Sequence, residues 1–247
     1  MLTLATQIND LHFLPAVPGI GDCMGEFDKA LNASILGQVI FGLQIPDMSL
    51  SRDEELHWAL GTPTPGTTNQ RVPLQSPWNL KINEWLAEGA RIFNDDFVEI
   101  YNPSPLPVDI SGFHLTDNPA GNSALHRITQ HSYIPAHGHI AFLATGKTSG
   151  DARDLGFKLS SQREMISLLT PELQVIDTIT YGPQKTDVSQ GRATDGAATF
   201  AYFTLPTPGK SNNASDPNET ALIAQLRITE IMYNPTGGSK YEYIKLK

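Results

Sequence analysis

One cysteine, Cys23, stands among 247 residues. It leaves no intrachain disulfide to form, and no Cys/His grouping has the spacing of a structural zinc site. No apolar run approaches the roughly 20 residues needed to span a bilayer. The start, MLTLATQINDLHF, lacks the basic residues and long apolar stretch of a secretory signal. Positive charge is also thin: 17 Lys and Arg face 26 Asp and Glu, for a net −9. The cations are scattered rather than striped, so the footprint of a nucleic-acid binder is missing. There is no Walker loop, dinucleotide fingerprint or G-x-S-x-G elbow.

What is present is a 40% hydrophobic share, ample for a packed core. Val98 and Ile100, then Val108 and Ile110, alternate with polar residues, and NPSPLP at 102–107 breaks the run, so the segment reads as strand, turn, strand. Strands are expected near 80–87, 97–102, 107–116, 125–129, 138–144, 164–169, 174–181 and 199–203. Helix is expected to be scarce. The spacing predicts an all-β, antiparallel β-sandwich.

INE at 82–84, FVEIYN at 97–102, VDISGFHLTD at 108–117, IPAHGHI at 134–140, FKLSS at 157–161, DTITYGPQ at 177–184, SQGR at 189–192 and PTPGKSN at 206–212 follow one another in the order of the lamin tail domain family. The chain resembles that family over about half its length. The resemblance implies an immunoglobulin-like sandwich of the kind found in nuclear lamins and, in tandem, in bacterial surface or secreted proteins. Its structural signature falls on Glu84, Glu99, Asn102, Asp109, Gly112, Gly182, Arg192, Pro208 and Gly209. The DNA binding of lamins does not carry over to so acidic a chain.

The chain also repeats itself. FGLQIPDMSLSR at 41–52 aligns without a gap to YGPQKTDVSQGR at 181–192, and PTPGTTN at 63–69 to PTPGKSN at 206–212. LAT at 4–6 pairs with LAT at 143–145, and Leu11 and Phe13 with Leu155 and Phe157. RITEIM at 227–232 matches KINEWL at 81–86, and YIKLK at 243–247 matches FVEIY at 97–101, both 146 residues apart (227 − 81 and 243 − 97). The expected organisation is therefore the second half of one lamin-tail-like domain at 1–69, a linker at 70–79, a complete domain at 80–212, a linker at 213–225, and the first strands of a further copy at 226–247. Such a chain is a slice of a longer array, with any leader upstream. Its two ends, each an unfinished sandwich, are expected either to be poorly ordered or to complete one another in a composite.

Each chemical candidate meets a structural alternative. Glu84 and Glu99 are paired acids suited in principle to proton transfer. Lys245 stands where Glu99 does in the third copy, however, and a required acid would not be replaced by a base, so both acids are assigned to the fold. Arg192 and its counterpart Arg52 are expected to pair with one of these acids. His126, His131, His137 and His139 cluster in sequence, but turn and rim positions explain them without a metal. Calcium suits the oxygens of Asp95 and Asp96 in one loop and Asp117 and Asn118 in another, yet Asp and Asn are the ordinary residues of β-turns.

No cofactor and no catalytic residue is assigned. The expected function is a non-catalytic structural or interaction module in a secreted or cell-surface protein, beside neighbouring copies of itself and an unknown protein or cell-envelope partner. The alternative is a module binding calcium, carbohydrate or a membrane-associated partner, attached to a catalytic domain elsewhere in its parent.

Overall fold

The computed structural model describes residues 22–28, 34–91, 93–147, 151–212, 227–233, 235–237 and 241–247. The expected pairings of Leu11 and Phe13 and the 213–225 linker lie outside these. In chain order the strands are β1 (Asp22–Asp28), β2 (Ser34–Phe41), β3 (Ser49–Arg52), β4 (Trp58–Thr62), β5 (Gln70–Arg71), β6 (Lys81–Leu86), β7 (Asp96–Tyr101), β8 (Val108–Asp109), β9 (His114–Thr116), β10 (His126–Arg127), β11 (Tyr133–Ile134), β12 (His139–Ala144), β13 (Glu164–Leu169), β14 (Val175–Tyr181), β15 (Ser189–Arg192), β16 (Phe200–Phe203), β17 (Ile228–Met232) and β18 (Tyr243–Leu246). They form two compact units, Met1–Asn212 and Asn213–Lys247.

The first unit is the expected all-β sandwich. One sheet runs β12-β7-β6-β15-β16 and another β10-β9-β13-β14, and the paired strands are antiparallel. Ile82, Trp85, Val98, Ile100 and Phe142 from the first sheet meet Leu115, Ile166, Leu168 and Ile179 from the second in a single buried core. Trp85 stacks on Tyr181 with ring centroids 5.8 Å apart. A bulge between Ile82 and Glu84 makes this possible. The extra residue puts Ile82 and Trp85, three apart, on the core side and turns Glu84 to the opposite face.

The strand expected over 107–116 is two, β8 and β9. The Asp109 Oδ1 accepts the Ser111 N–H at 2.8 Å, and Gly112 follows at φ +74°, a conformation other residues adopt only under strain. The hydrophobic pattern announces neither β11 nor β15; each is short, and β15 holds only polar residues and glycine. Within the stretch read as a linker, Gln70–Arg71 pairs with β4 and Pro77–Asn79 makes one 3-10 turn.

Residues 42–72 pack on the same sandwich. The Gly42 N–H donates to Gln130 O at 2.9 Å, the Tyr133 N–H to Leu43 O at 2.9 Å, and the Leu43 N–H to Ser132 Oγ at 3.1 Å. Leu43 enters the main core, while Ile45 and Leu60 bury Tyr133 in a smaller one.

The β3–β4 hairpin and the β15–β16 hairpin have matching local geometry. Asp47 and Asp187, before each, hold φ of 59° and 57°. Arg52 faces Trp58 in register and lies 4.9 Å over its ring; Arg192 faces Phe200 and lies 5.2 Å over its ring. Asn69 Nδ2 donates to Arg52 O at 2.9 Å, as Asn212 Nδ2 does to Arg192 O at 2.6 Å. Turns close by Thr67 N–H to Thr64 O at 3.1 Å and by Lys210 N–H to Thr207 O at 2.9 Å, with Gly66 and Gly209 at φ +76° and +78°.

The second unit is the hairpin β17–β18, with Glu230 opposite Lys245 and a bulge between Ile228 and Glu230. All its strand residues are exposed.

Candidate functional site

Glu84 and Glu99 sit opposite one another on β6 and β7, and both are fully buried. Alternation places them away from the hydrophobic core, which in a sheet covered on one face means solvent. Here the second face is covered too, by the closing segment 206–212 and the turn at 195–197. Glu84 accepts the Ser189 hydroxyl through Oε1. It also accepts the Thr207 N–H at 3.0 Å and, through Oε2, the Thr207 hydroxyl at 2.8 Å. Glu99 accepts Asn83 Nδ2 at 3.0 Å on Oε1 and the Gly209 N–H at 2.6 Å on Oε2.

A third acid joins them. Asp195 Oδ1 accepts Asn83 Nδ2 at 3.0 Å and the Asn212 N–H at 2.9 Å. The Asn83 Oδ1 in turn takes the Gly196 N–H at 3.1 Å. His139 Nε2 lies 3.2 Å from Asp195 Oδ2, near enough to pair though not aligned as a hydrogen bond, and its ring stacks on Tyr101.

Desolvation sets the acidities. Glu99, with the Glu84 charge adding to its burial, is pushed up to about 8. Glu84 rises for the same leading reason, checked by its hydroxyl and N–H donors. Asp195, less deeply buried and richly hydrogen-bonded, is lowered. The arrangement holds a proton on Glu99 near neutrality, but at a place no solvent reaches. It is a lock between a strand pair and the segment that closes over it.

Arg192 departs from expectation. It pairs with neither Glu84 nor Glu99 but with Asp177, at 2.8 Å, and its Nε donates to Ile82 O at 2.9 Å. The reason is the side on which it stands: Arg192 reaches back over Phe200 to the β6 start, where Asp177 also accepts the Ile82 N–H at 2.9 Å. Arg52 likewise lies over the Trp58 ring and, among the described residues, pairs with no acid.

The other signature residues serve turns. Asn102, fully buried, donates to Leu106 O and Pro135 O, each at 2.9 Å, and accepts the Ser104 N–H at 2.9 Å. Pro208 and Gly209 are the two central residues of the Thr207–Lys210 turn. Gly182 contributes its carbonyl to Gln184 Nε2 at 2.8 Å, and nothing lies within 4 Å of where its Cβ would be.

The histidines scatter. His131 and His137 occupy turns at φ 55° and 50°, and His139 belongs to the Asp195 network. Among the described residues the ligand-type atoms that converge are those of Asp53, Glu55 and His57, which sequence did not single out, and Arg71 already pairs with Asp53 at 3.2 Å. Of the calcium candidates, Asn118 is engaged in its own turn, accepting the Gly121 N–H at 3.0 Å. Asp96 accepts the Gly89 N–H at 3.1 Å and is raised chiefly by burial, as is Asp117. The charges of Asp117 and Asp96 both bear on Glu164, adding to the burial that raises it.

Sequence reasoning missed Asn83, Asp177, Ser189, Asp195 and Thr207. Asn83, Asp177, Ser189 and Thr207 stand inside the quoted motifs without any sign of their partners; Asp195, in a TDG turn, carried none. No curated protein and no solved structure matches the chain. Residues 73–183 match the Lamin Tail Domain family, and the sandwich they build is the immunoglobulin-like fold of that family.

Proposed function

We propose that this chain is a non-catalytic interaction module, a stretch of a tandem lamin-tail array within a larger secreted or cell-surface protein. The observation that carries the non-catalytic reading is the burial of Glu84 and Glu99 with every carboxylate oxygen taken up by Ser189, Thr207, Asn83 or Gly209. Acids committed in this way hold the fold. The array is supported by the matching hairpins β3–β4 and β15–β16 and by the bulge that β17 shares with β6. Unit repetition of this kind makes beads on a string.

An antibody to the chain tests the location. It is expected to label intact producing cells before permeabilisation, and labelling confined to lysed cells defeats the surface reading.

The alternative reading is a module whose loop oxygens, Asp95, Asp96, Asp117 and Asn118 among them, take up calcium. Melting the chain in EDTA and again in millimolar calcium decides it. An unmoved transition supports the structural bead; one raised by several degrees means the ion binds the native state.

A further inference from the structure

The segment 206–212, which closes over Glu84 and Glu99, contributes no residue to either hydrophobic cluster. Its attachment is polar and falls into two parts. At one end Asn212, the one buried residue of the segment, holds through Nδ2 to Arg192 O at 2.6 Å and Asn83 O at 3.2 Å. The middle hangs on carboxylates: the Thr207 N–H and hydroxyl on Glu84, and the Gly209 N–H on Glu99 at 2.6 Å.

Those two carboxylates face each other across the β6–β7 pair, where like charges repel. The other groups around them bring no positive charge into contact. Ser189 of β15 and Asn83 of β6 are neutral donors, and Ala141 of β12 lies opposite Glu99. The turn at 195–197 adds the acid Asp195, whose Oδ2 is the atom nearest His139 of β12, while Arg192 turns away to Asp177. Ionising both glutamates thus leaves two adjacent charges in a dry site with neutral donors alone, an arrangement that only water relieves cheaply. Lifting the middle of the segment admits water without parting the hydrophobic core, which makes it a low-cost local opening.

We infer that segment 206–212 is a charge-gated strap, closed over Glu84 and Glu99 while one of them is protonated and swinging open about Asn212 when both ionise, ahead of global unfolding. The gate lies in the alkaline range, because Glu99 is pushed up to about 8 and Glu84 is raised as well, both first by burial. In the open strap Glu99 returns toward 4.5, so opening gains as pH rises between the two values. The chain carries its own reference. The segment 63–69 has the same turn, but Thr64 bonds to Asn69, Asn69 bonds to Arg52 O, and among the described residues no carboxylate holds it.

Amide hydrogen exchange of the full-length chain, corrected for base catalysis of the exchange step, tests the strap. Protection of the Thr207 and Gly209 amides is expected to fall about twentyfold from pH 6.5 to pH 8.5, while the Thr67 amide keeps its own. Low urea is expected to leave Thr207 and Gly209 unaltered, since the opening exposes little surface, but to speed exchange at Val98 and Ile100 in the core strand. Protection that is the same at both pH values overturns the inference, as does a fall shared by Thr67. So does exchange at Thr207 and Gly209 that follows urea in step with Val98 and Ile100, because the segment then moves only with the whole fold. These readings need no variant. Glu99→Gln is expected to remove most of the alkaline fall at Gly209, and an undiminished fall in that variant also overturns the gate.

Discussion

At the scale of single residues, Glu99 sets a pH dependence whose sign can be worked out. Its unfolded value is 4.5 and its folded value about 8, so the native state holds a proton that the unfolded chain has lost. Stability from this group is fully present below the unfolded value and declines as pH rises toward about 8. His114 and His126 act oppositely: burial lowers both from 6.5, and they weaken the fold as pH falls through and below that value. The melting temperature is therefore expected to peak near pH 6.5 and fall by pH 8.5. Glu99→Gln, neutral at all pH, flattens the alkaline fall while leaving the melt at pH 6.5 within a few degrees. An undiminished alkaline fall in that variant would put the titration elsewhere. Glu84→Ala is different in kind, because it strands the Ser189 hydroxyl and both Thr207 donors. A loss of about 3 kcal/mol in urea unfolding is expected.

At the scale of elements, two glycines separate two kinds of constraint. At Gly209 nothing lies within 4 Å of the place a Cβ would take, but the residue holds φ +78° in the Thr207–Lys210 turn, so Gly209→Ala meets only backbone strain, about 1 kcal/mol. Gly191 has no such φ, but its Cβ would enter the backbone of β6 at 2.6 Å from Asn83 O. Gly191→Ala is expected to cost more, about 3 kcal/mol, because β6 must move. Equal effects in chemical unfolding would contradict this ranking. The strands legible in the sequence are those whose side chains carry the pattern: Val98 and Ile100 alternate, and β7 forms where they stand. β15 was invisible because Ser-Gln-Gly-Arg has no apolar face, its place being fixed by Glu84 and by close approach to β6. The same limit hid the acid network. Alternation gave the side of the sheet on which Glu99 lies, but a closing segment more than a hundred residues away decides that this side is dry.

At the scale of the whole molecule, the two compact units differ in what holds them. The first has a continuous core that includes Leu43. The hairpin Ile228–Leu246 has exposed strands and an ion pair, Lys245 to Glu230 at 3.7 Å, in water. Surface pairs of this sort contribute under about 1 kcal/mol, and cooperative unfolding requires a shared buried core. Ending the chain after Asn212 is thus expected to leave the main melting transition unmoved in dilute solution. A truncated chain that melts several degrees lower when dilute would mean that the hairpin supports the sandwich of its own chain.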